Sequence, residues 1–131
     1  MLITKKDIIT KIHLIISLVI VIPVAFMYGF YPDTLFELNP RTLDEHNFYK
    51  AIMGLYMGIS MIWALGIAKP HYLKTAIITN MVFMLGLGSG RLLSLLLDGI
   101  PSSGYLFGTV AELFLGIYGL WVLNSRHLNR I

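Results

Sequence analysis

The stretch GLGSGRLLSLLLDGIP (residues 86–101) decides the fold, because it places an arginine within an otherwise apolar run. A charged side chain in the hydrocarbon of a bilayer costs roughly 2.5–3.5 kcal/mol on insertion scales, and it usually faces the interior of a bundle and has a partner there. Glu112, in the next apolar run, is the partner that the sequence offers to Arg91. We therefore expect a helical membrane bundle built around a polar site.

Four apolar runs are long enough to cross about 30 Å of hydrocarbon at about 1.5 Å per residue. Lipid offers no hydrogen bonds to the backbone, so a single spanning segment must be a helix. The runs cover residues 8–30, 48–68, 72–97 and 104–123. The sequence thus predicts an all-α fold, an integral membrane four-helix bundle formed by one domain that covers residues 1–131.

The composition excludes several other classes of protein. Of the 131 residues, 56% are hydrophobic and 13% are charged, whereas about a quarter of a soluble domain is charged. The chain has no cysteine, which excludes thiolate metal sites and disulfides. The net charge of +3 comes from basic residues near the ends of the apolar runs, so we expect membrane lipids and no nucleic acid as partners. No histidines share close ligand spacing, and we expect no metal and no cofactor.

Most of the basic residues lie on one side of the predicted membrane. Only Arg41 lies in the loops of the opposite side, with Lys50 at the edge of the second span. The positive-inside rule then places both termini in the cytoplasm and the protein in the cell inner (cytoplasmic) membrane, as a multi-pass protein. The basic side carries Lys5, Lys6, Lys11, Lys69, Lys74, Arg126 and Arg130.

Several residues are predicted to lie at the membrane boundaries. Asp33 begins a segment that is either a short interfacial helix capped by Asp33 or an irregular acidic loop. In the helical alternative, three apolar side chains turn to the bilayer, namely Leu35, Phe36 and Leu38. Histidines predicted to be solvated at the cytoplasmic boundary are His13, His71 and His127. Aromatic residues that fit interface belts include Tyr28, Tyr49, Tyr105, Trp63 and Trp121.

Polar residues converge on the outer half of the predicted bundle. Arg91 lies about 10 Å and Glu112 about 12 Å from the outer ends of their helices, so the two side chains can form an ion pair. Small residues on the same faces let helices approach or leave a space. The candidate ligand-binding residues are Asn47, Lys50, Gly54, Tyr56, Arg91, Ser94, Asp98 and Glu112. Two interpretations stay open: a polar pocket, and a structural clamp that binds nothing.

Two sequence strings carry a family resemblance: NFYKAIMGLYMG (residues 47–58) and GLGSGRLLSLLLDGIPS (residues 86–102), followed by the glutamate of the fourth span. They resemble the bacterial domain-of-unknown-function 4345 family of small four-helix integral membrane proteins, over about residues 29–124. The resemblance implies fold and topology but no activity. In the family pattern the residue that matches Lys50 is usually arginine; lysine keeps the charge but loses the planar fork that binds a carboxylate through two hydrogen bonds. A looser similarity to DoxX-type four-helix proteins identifies no substrate.

Three functions fit these patterns. The first is a binding protein for a lipid-like or other amphipathic small molecule. The second is an accessory or assembly protein that packs against a larger membrane partner or a second copy, and its sign would be a spare glycine face and no cavity. The third is a small proton-coupled exporter. This function is less favoured, because a glutamate that is paired with an arginine does not easily take up and release protons. An enzyme with Glu112 as acid–base catalyst is possible, but the sequence identifies no catalytic set.

Overall fold

The computed structural model describes residues 5–125, without the side chains of Lys6 and Leu35. Arg126, His127 and Arg130 therefore lie outside the described residues, as does the predicted orientation of Leu35. Within the described range there are helices and no strands. The helices are α1 (Lys5–Phe30), α2 (Pro32–Leu35), α3 (Leu43–Ala68), α4 (Pro70–Leu97) and α5 (Ser103–Asn124).

The four long helices confirm the predicted all-α membrane bundle, because each is long and apolar enough to cross a bilayer. The main difference is at the start of α3, which begins at Leu43 rather than near residue 48. A capping box explains the longer helix. Thr42 Oγ1 accepts a hydrogen bond from the Glu45 N–H (3.1 Å), and the Glu45 carboxylate accepts one from the Thr42 N–H (3.0 Å).

The helices α3 and α4 form a tight hairpin at what we call the terminus end, which carries residue 5, Lys69 and residue 125. Lys69 alone separates the two helices, and Pro70 starts α4. Lys11 of α1 donates a hydrogen bond to the Ile67 carbonyl (3.3 Å), which stabilises the end of α3. A Cβ added to Gly66 would lie 2.2 Å from the Ala76 Cβ, so only glycine permits this approach.

The opposite end, which we call the loop end, carries residues 31–42 and 98–102. Here α2 is a single turn preceded by Tyr31, without the predicted side-chain cap from Asp33. Phe36 is buried at 4% exposure, and Leu38 is half-buried against the core. The prediction that Phe36 faces the bilayer is therefore wrong, because its ring stacks on those of Tyr28 (4.9 Å) and Tyr105 (4.4 Å) instead.

The long helices pack in chain order, α1 on α3, α3 on α4 and α4 on α5, while α1 and α5 touch at few positions. They meet at the terminus end, where the Tyr118 hydroxyl donates to the Ile9 carbonyl (2.8 Å) and its ring lies 5.3 Å from that of His13. Farther toward the loop end, both helices line a cleft. The bundle is thus a row of packed helices whose first and last members are joined mainly near one end.

Besides Phe36, three predicted boundary residues lie in the core; one is Tyr28, whose predicted interfacial position is wrong because it is 6% exposed and stacks on Phe36. His13 and Trp63 are 1% and 0% exposed, so the predicted interfacial positions are wrong for both. Their rings pack against neighbours in the bundle: His13 beside Tyr118, and Trp63 edge-on to Phe83 (5.3 Å). Hydropathy correctly placed these residues near one end of a span, but it did not indicate which way their side chains turn.

Candidate functional site

An ion pair joins α4 and α5 in the loop-end half of the bundle. Arg91 Nε donates to Glu112 Oε2 at 2.7 Å, and the two side chains are only 19% and 13% exposed. A charge-assisted hydrogen bond of this length is strong where water is scarce. The expected contact between Arg91 and Glu112 is therefore confirmed.

Glycines bring the two helices close enough for this pair. A Cβ on Gly88 would lie 2.6 Å from Leu113 Cδ2, and a Cβ on Gly116 would lie 2.6 Å from Leu85 Cδ2. Each leucine therefore fills the space that a side chain on the opposite helix would need. This reciprocal packing fixes the register of α4 against α5 and sets Arg91 opposite Glu112.

Aromatic rings surround the guanidinium on the loop side. Arg91 Cζ lies 5.1 Å from the centroid of the Tyr105 ring, a cation–π geometry. Tyr105 stacks on Phe36, Phe36 stacks on Tyr28, and Tyr28 meets Tyr56 edge-on at 5.6 Å. We call these four rings the aromatic roof. It connects the loop after α1 to α3 and α5 above the ion pair.

One cavity, which we call the side cleft, lies between α1 and α5 beneath the roof. It has a volume of about 150 Å³, and its walls are mostly apolar. Val24 of α1 and Ala111 of α5 are among the wall residues, and Arg91 and Glu112 supply the charged groups. The side cleft is therefore an apolar space with one polar end.

A second, wider space, which we call the loop-end cavity, has a volume of about 500 Å³ and is more open. It lies between α3, α4 and α5, and Ser94 and Thr109 contribute polar atoms to its wall. The residues that line both spaces are Tyr56, Leu87 and Arg91. Arg91 thus stands at the wall between an apolar cleft and a more polar cavity.

The structure brings together only some of the candidate residues. Tyr56, Arg91, Ser94 and Glu112 line one or both spaces. Asp98 accepts a hydrogen bond from the Ser94 hydroxyl (2.8 Å), but it is exposed and lines neither space.

The remaining three candidates belong to α3 and lie away from the cluster. Asn47, Lys50 and Gly54 are all exposed, and Lys50 Nζ lies 5.7 Å from the Phe30 ring centroid. The predicted inward orientation of Lys50 and Gly54 is wrong because of helix geometry. They lie six and two positions before the buried Tyr56, which at about 100° per residue turns Lys50 about 120° and Gly54 about 160° away from it around α3.

The sequence interpretation missed several wall residues. Tyr105 and Thr109 precede Glu112 by seven and three positions, so helical spacing on α5 was a usable signal for both. Tyr28 and Phe36 carried no such signal, because they reach the site from α1 and from the connecting loop.

Other buried polar groups lie nearer the terminus end. The imidazole nitrogens of His13, the side-chain amide of Asn80 and the hydroxyl of Ser60 have no hydrogen-bond partner among the described residues. All three side chains are at most 2% exposed. Within residues 5–125, no group of three metal-ligating side chains is close enough to hold an ion.

The fold and this arrangement define a class: a multi-pass helical membrane protein with a paired arginine and glutamate inside the bundle. Comparison with protein families matches the domain of unknown function DUF4345 over residues 9–123. The chain belongs to the DUF4345 family. No curated protein and no solved structure matches it. The similarity to DoxX-type proteins stays a prediction from the sequence.

Proposed function

We propose that this protein binds an amphipathic, lipid-like small molecule inside the membrane, with the polar head of that molecule at Arg91 and Glu112. One observation supports this function most: Arg91 lies at the wall that separates the apolar side cleft from the loop-end cavity. A ligand with a polar head and a hydrocarbon part matches a site whose walls change character in this way.

The hydrogen-bonding capacity of the ion pair supports the same function. A guanidinium has five N–H donors, and Arg91 uses Nε–H for Glu112. The Tyr28 hydroxyl lies beside the guanidinium. Glu112 and Tyr28 together do not use all five N–H donors. The N–H groups that these partners do not use are available to the polar head of a ligand in the adjoining cavity.

The proposed location is the cytoplasmic membrane, with both termini in the cytoplasm. The asymmetry of lysines and arginines supports this orientation, which puts the loop end and its cavity on the outer side. A periplasm-dependent phosphatase fused after Ile131 should be inactive, whereas the same phosphatase inserted in the loop of residues 37–41 should be active. The opposite pattern would overturn the orientation.

A second candidate function, that of an assembly protein, also has an observation in its favour. A Cβ added to Gly54 or Gly58 would meet nothing within 4 Å, and neither residue lines a cavity described above, so α3 carries two glycines that no described residue covers. Such surfaces let another helix approach closely. The exporter hypothesis has less support, since Glu112 is held by Arg91 at 2.7 Å.

Native mass spectrometry of the protein extracted with its own lipids tests the binding function. We expect a small molecule to stay bound in the parent protein and in Arg41→Ala, an exposed arginine, and to be lost in Arg91→Ala. If Arg91→Ala does not fold, the double variant Arg91→Gln with Glu112→Gln is used in its place, because it removes both charges together. Equal retention in all variants, or no retained molecule in any, would favour the assembly function.

A further inference from the structure

The side cleft has a floor and a ceiling but one open wall. Its floor is the contact between α1 and α5 at the terminus end, where Tyr118 bonds to the Ile9 carbonyl. Its ceiling is Phe36, which is buried between Tyr28 and Tyr105. Between floor and ceiling, α1 and α5 stand apart. A molecule can therefore reach the cleft from the side.

The residues at the open wall face the surroundings of the bundle. Ile20 of α1 and Phe107 of α5 both line the cleft, yet they are 39% and 80% exposed. Both belong to spans, so their exposed surfaces lie against hydrocarbon. The opening is therefore toward lipid tails, and an apolar chain can pass from the bilayer into the cleft without crossing water.

The charges at the polar end select the head group. Arg91 and Glu112 sum to zero and neutralise each other at 2.7 Å. An anionic head would bring a second negative charge close to Glu112, and a cationic head would bring a second positive charge close to Arg91, and like charges at this distance repel each other. A hydroxyl meets no such repulsion, because it can donate to the carboxylate and accept from the guanidinium.

From this geometry we propose that the ligand is a single-chain lipid with an uncharged, hydroxyl-type head, and that its chain enters the side cleft sideways between α1 and α5. The proposal rests on the proposed binding function and specifies its ligand class and route. The hydroxyl lies beside the Arg91–Glu112 pair, where it can bond to the free oxygen of the carboxylate and to the remaining N–H groups of the guanidinium. The chain lies along the apolar wall formed by Val24 and Ala111.

Tryptophan fluorescence provides a direct test. Trp63 is fully buried and lies 5.3 Å from the ring of Phe83, a residue of the cleft wall. Trp121 is 57% exposed and reports lipid instead, so the variant Trp121→Phe isolates the signal of Trp63. The probes are chain-brominated alkyl alcohol, alkyl sulfate and alkyltrimethylammonium of equal length, added to the protein in phosphatidylcholine nanodiscs.

We expect saturable quenching of Trp63 by the alcohol, with an apparent affinity at least about tenfold above that of either charged probe. Ala111→Phe fills the cleft and should abolish this quenching. Val110→Phe is its control, since Val110 is 70% exposed and lines neither space. Each variant should first be shown to unfold at the same temperature as the parent protein. If Ala111→Phe does not, Ala111→Leu is used in its place.

The possible failures can be told apart. Equal or tighter quenching by the sulfate or ammonium probe would overturn the head-group assignment and leave the binding function intact. Alcohol quenching that Ala111→Phe leaves unchanged would overturn the side entry. Absence of quenching by every probe, together with no molecule retained in native mass spectrometry, would overturn the binding function itself.

Discussion

Buried polar side chains have different surroundings at the two ends of the bundle. At the loop end, Arg91 and Glu112 pair at 2.7 Å, and cavities lie beside them. Toward the terminus end, His13 and Asn80 are fully enclosed, and their ring nitrogens and amide atoms lack partners among the described residues. Polar atoms with both a partner and an adjoining space suit a binding site. His13 and Asn80 line neither the side cleft nor the loop-end cavity, so burial of a polar group alone does not mark the site proposed here.

Breaking the ion pair should have the largest effect on stability. Arg91→Leu leaves Glu112 charged and unpaired in the bundle, and we expect a loss of about 3–5 kcal/mol in the free energy of unfolding. Adding Glu112→Gln to Arg91→Leu should recover part of it, with a coupling of about 1–3 kcal/mol between the two sites. Denaturant titration of the protein in mixed micelles measures both quantities.

The control for this cycle is Arg41→Leu, because Arg41 is exposed in the loop before α3. It should change the free energy of unfolding by less than about 0.5 kcal/mol. Additive effects of Arg91→Leu and Glu112→Gln would mean that the contact contributes nothing to stability.

Two glycines of α4 sharpen the comparison on a smaller scale. Gly88→Ala pushes a methyl group against Leu113 and should destabilise the protein by about 1–3 kcal/mol. Gly90→Ala meets nothing within 4 Å and should be neutral, or stabilising by up to about 1 kcal/mol through helix propensity. The same titration distinguishes them, and equal destabilisation by both would show that the space beside Gly90 is absent.

The smallest effect is expected at the enclosed polar groups. His13→Leu removes an imidazole that lies near the Thr10 backbone without a hydrogen bond of good geometry, and it keeps a similar volume. We expect the free energy of unfolding to stay within about 1 kcal/mol of the parent value or to rise. Asn80→Leu should behave likewise. A loss above about 2 kcal/mol in either variant would mean that these atoms do have strong partners, and the contrast between the two ends would weaken.

The sequence predicted those features that depend on position along a span. Apolar runs located the four long helices, and depth counting located Arg91 opposite Glu112, because rise per residue is the same in every helix. The sequence determined less well how each helix is rotated about its own axis, and therefore which side chains face the bundle. Lys50 and Gly54 lie on the predicted span, but α3 turns Tyr56 inward and these two outward.

Contacts between segments that are distant along the chain could not be predicted from the sequence either. Phe36 was predicted to face the bilayer as part of a short amphipathic helix, yet its environment is set by Tyr28 and Tyr105 from two other elements. Trp63 was misplaced for a similar reason, since Phe83 of α4 rather than the membrane boundary receives its ring. Packing partners of this kind follow from the assembled bundle, not from local pattern.

Single cysteines test the central claim, an open polar space beside Arg91, most directly, because the chain has no cysteine of its own. Gly90 and Gly54 are both exposed and uncrowded and lie in the loop-end half, but only Gly90 lines the loop-end cavity. A thiol reacts as the thiolate, which requires water. In nanodiscs, a charged methanethiosulfonate should modify Gly90→Cys at least about tenfold faster than Gly54→Cys. Equal rates, or faster reaction at Gly54→Cys, would contradict the account.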